Sequence, residues 1–102
     1  MKVYDVYVGY GAENVGEAAQ RIHLENFALG LGLPGFTLFN ATGGWRSDTG
    51  DLEFEPVWVF RFILPNTSQD SWGVTAFAAE AKAVLEQQAI LVTVTDVAQY
   101  YV

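Results

Sequence analysis

The chain has 102 residues, 51% hydrophobic and 15% aromatic, enough apolar material for one core and too much for intrinsic disorder. Twelve acids oppose five bases, giving a formal charge of −7 that argues against nucleic acid and anionic membranes as partners. The absence of cysteine excludes a disulfide framework, a zinc-thiolate centre and a cysteine nucleophile.

"KVYDVYVG" (2–9) is rich in Val and Tyr and reads as a strand, with no signal-peptide run at the start of the chain. Asn14 precedes Glu17 by three residues in a capping-box-like arrangement. Val15, Ala18, Ala19, Ile22 and Leu29 recur at helical spacing and predict a helix over 15–29, ended by Gly30, Gly32, Pro34 and Gly35. "FTLFNATGGW" (36–45) is a second strand, and "SDTG" (47–50) is a turn with Gly50 at positive φ. "DLEFEPVWVFRFIL" (51–64) is a long third strand, in which Pro56 suggests an edge position or a bulge. "PNTSQDS" is a loop with helix-cap residues, and 72–88 is built of good helix formers. "AILVTVTDV" (89–97) is a fourth strand, followed by the tail "AQYYV". No stretch approaches the ~18 apolar residues of a membrane span. The expectation is a single cytoplasmic domain over 1–102.

The order β-α-β-β-α-β predicts an α+β, ferredoxin-like sandwich, a four-stranded antiparallel sheet with two helices on one face. Strand three alternates with consequence. Trp58, Phe60, Phe62 and Leu64 point one way, while Val57, Val59 and Ile63 point the other with Arg61 among them. A face open to water should alternate apolar with polar. The second face therefore needs a cover, either another copy of the chain or the tail folded back.

The hairpin "GFTLFNATGGWRSDTGDLEFEPVWVFRF", with Gly-x-Thr, a glycine before Trp45 and a Glu leading into an apolar strand, resembles the corresponding region of PII-like ferredoxin-fold proteins. "EQQAILVTV" is similar to their entry into the last strand. The resemblance spans residues 35–64 and 86–95. It implies a compact trimer whose subunit-boundary clefts hold small ligands, often nucleotides. The chain departs from that pattern in lacking a long basic loop for phosphate contacts, so ATP binding does not carry over.

On its own chemistry the hairpin offers Gly43 and Gly44 for close backbone approach and Trp45 as a stacking plane. Arg46 is a planar donor, and Asn40 and Thr42 supply hydrogen bonds. Arg61, an arginine among apolar neighbours, calls for an anion, with Asp5, Glu53 and Glu55 as internal candidates. These seven (Asn40, Thr42, Gly43, Gly44, Trp45, Arg46, Arg61) are the candidate ligand-binding residues. Asp48, Asp51, Glu53 and Glu55 lack the spacing of a calcium loop and read as a solvated acidic hairpin that also guards a strand edge. His23 has no partner nearby in sequence, the tyrosines read as packing and rim residues, and "GYGAENVG" does not match a phosphate loop.

The leading expectation is thus a non-enzymatic homo-oligomer, dimer or trimer, that holds or sequesters a small ligand such as a nucleotide-derived signal, with no cofactor, no catalytic residue and no metal. Two alternatives stand beside it: an acidic inhibitor of phage anti-defence type acting on a host protein, and a dimeric α+β-barrel enzyme.

Overall fold

The computed structural model describes residues 1–65 and 68–102. The chain order is β1 (Lys2–Gly9), α1 (Glu17–Gly30), β2 (Thr37–Arg46), β3 (Leu52–Leu64), α2 (Ser68–Val84) and β4 (Leu91–Asp96). The strands form one antiparallel sheet in the order β2-β3-β1-β4. This is the ferredoxin-like α+β arrangement expected from the element order.

β3 is the spine of the sheet, because β1 and β2 both pair with it. Its even-numbered residues Trp58, Phe60, Phe62 and Leu64 join Tyr4, Val6 and Val8 of β1 under the helices, and all seven are buried. Phe77 of α2 closes this core with its ring 4.9 Å from Phe60 and 5.2 Å from Phe62. Tyr10 stacks on Trp58 at 4.3 Å.

Three expectations need correction. The inward face of α1 is Leu24, Phe27, Ala28 and Leu31, at helical spacing, while Val15, Ile22 and Leu29 are exposed. The helix carries two apolar stripes, and the one with the larger side chains nearest the sheet is buried. The capping box does not form. Gly16 is the N-cap, and the Asn14 side chain instead accepts from the Gly16 N–H at 2.9 Å and donates to Gln20 at 2.6 Å. α2 begins at Ser68, so part of the expected loop is helical; Asn66 and Thr67 lie outside the described residues.

Pro56 takes the edge position that its missing N–H suggests, with no bulge. It pairs in continuous register with Thr42, just past the last β1–β3 rung at Val57. Its carbonyl accepts from the Tyr10 N–H at 3.2 Å, and its missing donor faces the place where β1 has run out.

Past that point β2 and β3 continue alone. Residues 43–55 form a two-stranded arm that reaches ~15 Å beyond the sheet, four rungs and a turn. The turn closes with the Gly50 N–H donating to Ser47 O at 2.9 Å, and Gly50 has the expected positive φ of 88°.

At the other edge, Lys2 Nζ donates to Asp96 Oδ1 at 2.9 Å and ties β4 to β1. That hydrogen bond, then the charge of Lys2, holds the Asp96 carboxyl below its usual 3.8. The folded state therefore binds fewer protons, so the contribution is complete above the unfolded value and lost as pH falls through the folded one.

Two outcomes follow from this packing. Phe77→Ala empties the junction of three rings and is expected to cost about 3–5 kcal/mol in chemical denaturation. Asp96→Asn should lower the melting temperature slightly at neutral pH, and its melting curve should converge on wild type in acid as the native carboxyl protonates.

Candidate functional site

The face of the sheet away from the helices is made of odd-numbered residues. Its rungs run Phe39–Val59–Tyr7–Leu91 and Thr37–Arg61–Asp5–Thr93. Val59 is buried within its rung, yet Phe39, Ile63 and Leu91 are exposed. The tail reaches only one corner, where Tyr101 lines a cavity of about 240 Å³ with Gly35, Thr37, Arg61 and Ile63. The expected alternative of a tail folded across this face is therefore met at one corner and not over its apolar centre.

Arg61 finds its anion inside the chain. Its Nε donates to Asp5 Oδ1 at 2.8 Å and its Nη2 to Asp5 Oδ2 at 3.0 Å, a two-pronged pair across neighbouring strands. The guanidinium also lies 5.3 Å from the centre of the Phe39 ring. The hydrogen bonds to Asp5, then its charge, raise the Arg61 pKa above its ordinary value. Of the three acids considered from sequence, Asp5 is the partner, because register places it directly opposite Arg61.

The arm extends both faces of the sheet. On the open side, Trp45 lies across from Glu53, and Gly43 across from Glu55. The Glu55 carboxylate leans over Gly9, where any side chain would overlap it. Among the described residues Glu55 has no hydrogen-bond partner, although it is half-buried. On the helix side lie Asn40, Thr42, Gly44 and Arg46, with Leu52 and Phe54 opposite the last two. Trp45 and Arg46 thus point to opposite faces, and Arg46 donates to the Gly50 carbonyl at 2.8 Å.

The glycines of the arm have an internal reason. Val57 occupies the space over Gly43, and the Phe54 ring lies over Gly44. The seven candidate residues therefore divide into two faces of one ribbon plus a distant Arg61, six residues or ~20 Å along β3 from Glu55. Gly9 and Glu55 were not among them. Only the β1–β3 register brings the two together, and sequence spacing carries no trace of it.

His23, for which the sequence offers no partner nearby, meets Glu80 of α2 at 2.6 Å on the outer helix surface. Among the described residues no three acidic or histidine side chains gather as a metal site. No helix among them is long and apolar enough to cross a membrane.

No family model and no curated protein sequence matches the chain. Solved structures do. A phage SAM lyase in complex with S-methyl-5'-thioadenosine superposes with a TM-score of 0.71 at 16% identity, covering 93% of this chain and 80% of the other. GlnK of B. subtilis in its ATP complex gives 0.60 at 15% identity, over 94% and 82%. The PII-like protein CutA from Nostoc sp. PCC 7120 gives 0.54 at 13% identity, over 95% and 81%. The fold is shared with PII-like proteins. At these identities the likeness establishes the fold and leaves the chemistry to the residues.

The Asp5–Arg61 pair makes a direct prediction. Arg61→Met leaves a mostly buried carboxylate without its partner, and Asp5→Leu leaves the more exposed guanidinium. Each is expected to lower the urea midpoint, Arg61→Met by more. The double variant should recover most of the loss, since two apolar groups replace the pair without orphaning a charge.

Proposed function

We propose that the chain acts as a homo-oligomer that binds a small adenosine derivative of the S-adenosylmethionine or methylthioadenosine type where the open face of its arm meets a neighbouring copy. The observation that carries this reading is the company of Trp45, Glu53 and Glu55 on one face, at the rim of an apolar sheet face that its own chain leaves largely uncovered.

Each part has a chemical sense. Trp45, 44% exposed, offers a plane on which a purine can stack. Glu55 stands two residues, ~7 Å, further along the ribbon from Glu53, so it can meet the 5' end of a nucleoside stacked on Trp45. Of the solved structures with this fold, one holds S-methyl-5'-thioadenosine and another ATP, and both ligands are 5'-substituted adenosines.

Charge decides between them. This face of the arm has two carboxylates and no cation, Arg61 is neutralised by Asp5, and the chain as a whole carries −7. A triphosphate would be repelled. A sulfonium centre would be held by Glu55, whose carboxylate lacks a partner among the described residues, and a neutral thioether would be tolerated. The apolar sheet face supports the oligomer, because a second copy is the cover that the element order leaves available.

Calorimetric titration with S-adenosylmethionine, S-methyl-5'-thioadenosine and ATP tests the reading. Binding is expected for the first two and absent for ATP. Trp45→Ala should weaken both by roughly 5- to 150-fold, the value of one stacked base. Glu55→Gln should weaken the sulfonium compound more than the thioether. Equal loss for both would show that Glu55 does not read the charge, and tight ATP binding would overturn the ligand class. The likeness to the phage lyase favours a second reading, in which S-adenosylmethionine is also cleaved. Mass spectrometry of the same mixtures distinguishes that case by the appearance of S-methyl-5'-thioadenosine.

A further inference from the structure

The helix-side face of the arm is more apolar than the open one, which carries Glu53 and Glu55. Leu52 and Phe54 are 60% and 63% exposed near its tip. A two-stranded ribbon is marginal in water without a third element to pack on, and among the described residues no third strand pairs with this one. At the opposite edge of the sheet lies a groove of about 410 Å³ between α2 and β4, lined chiefly by Ala78, Ala79, Lys82, Ala89, Ile90 and Val92. Its walls are mostly small side chains, and Val94 of β4 remains exposed on the same face of the sheet.

The net charges at the two places are opposite, two acids against Arg46 at the tip of the arm and Lys82 at the groove. Lys82 stands at the groove and has no ion pair among the described residues. Asp48 and Asp51 stand in the exposed turn at the tip of the arm. Large apolar groups beside acids at one end of the chain thus complement a small-walled groove beside a base at the other.

We infer that these are the two halves of one contact between copies: the arm of one copy lays Leu52 and Phe54 into the α2–β4 groove of the next, with Asp48 and Asp51 beside Lys82. This rests on the homo-oligomer proposed above and names the surfaces that build it. The two patches differ, so the contact is head-to-tail and closes as a ring when the rotation between copies permits. It also divides the arm's work. The face that grips the neighbour is the one opposite Trp45 and Glu55, so docking leaves the ligand-facing side of the ribbon free to line a cleft.

The natural sequence has no cysteine, which makes a disulfide trap clean. Phe54→Cys combined with Ala79→Cys should give covalent multimers on a non-reducing gel after mild oxidation, because the contact brings the two positions within bonding range, while either single change gives none. In sedimentation, Leu52→Ser with Phe54→Ser should raise the dissociation constant by on the order of 100-fold, both side chains being lost from the contact. Both positions are exposed, so circular dichroism should show an unchanged fold. Lys82→Glu should weaken assembly by up to about fivefold at low salt, and Asp48→Lys with Asp51→Lys on the same chain should restore it.

A wild-type monomer, an assembly indifferent to Leu52→Ser with Phe54→Ser, or a disulfide that closes within one chain would each overturn the contact. Ligand titration of the same samples keeps the two proposals apart. An oligomer with this contact that ignores both adenosine compounds defeats the ligand reading alone. A monomer that binds them defeats the contact alone.

Discussion

β3 is apolar on both faces, and the chain owns two helices to cover them. Both helices lie on one side, where the aromatic residues of β3 meet Phe77 and the inward stripe of α1. The other side keeps Val57 and Val59 buried through its own rungs while Phe39, Ile63 and Leu91 stay exposed. Much else in the molecule answers to this imbalance. Arg61, the one basic residue on that side of β3, is clamped by Asp5 and shelved on Phe39, so it adds no net charge to the face. A neutral, mostly apolar sheet face is a good surface for a second copy and a poor one for water.

The sheet was legible because a strand has a period of two, and a run of fourteen residues makes the period visible on both sides. The α1 face was not, for the opposite reason. A helix with apolar residues at 15, 18, 19, 22 and 29 and also at 24, 27, 28 and 31 has no single preferred side by periodicity. Contact with the sheet selects the stripe holding Leu24 and Phe27. Local spacing also mistook the start of the helix, since Asn14 bonds to Gly16 before the helical geometry begins.

Trp45 was read as a stacking plane and the acids after it as a solvated hairpin, but pairing Trp45 with Arg46 overlooked that neighbours on a strand point to opposite faces. What places Glu55 over Gly9 is the register of two strands far apart in sequence, and no local pattern encodes that. The same holds for His23 and Glu80, which lie on different helices and meet across their packing.

The arm shows how one rule of geometry separates two requirements. Beyond Val57 the ribbon has no third strand, so both of its faces are surfaces and alternation sends each residue to one or the other. The glycines sit where the opposing side chain lies flat across the ribbon, Val57 over Gly43 and Phe54 over Gly44, which keeps the strands close without filling either face from both sides. One face then carries Trp45 with two carboxylates and the other carries Leu52 and Phe54 with Arg46. A ligand that is aromatic and cationic suits the first, and an apolar groove suits the second. Because the faces are back to back, neither proposed occupant obstructs the other, and one projecting hairpin has room for both.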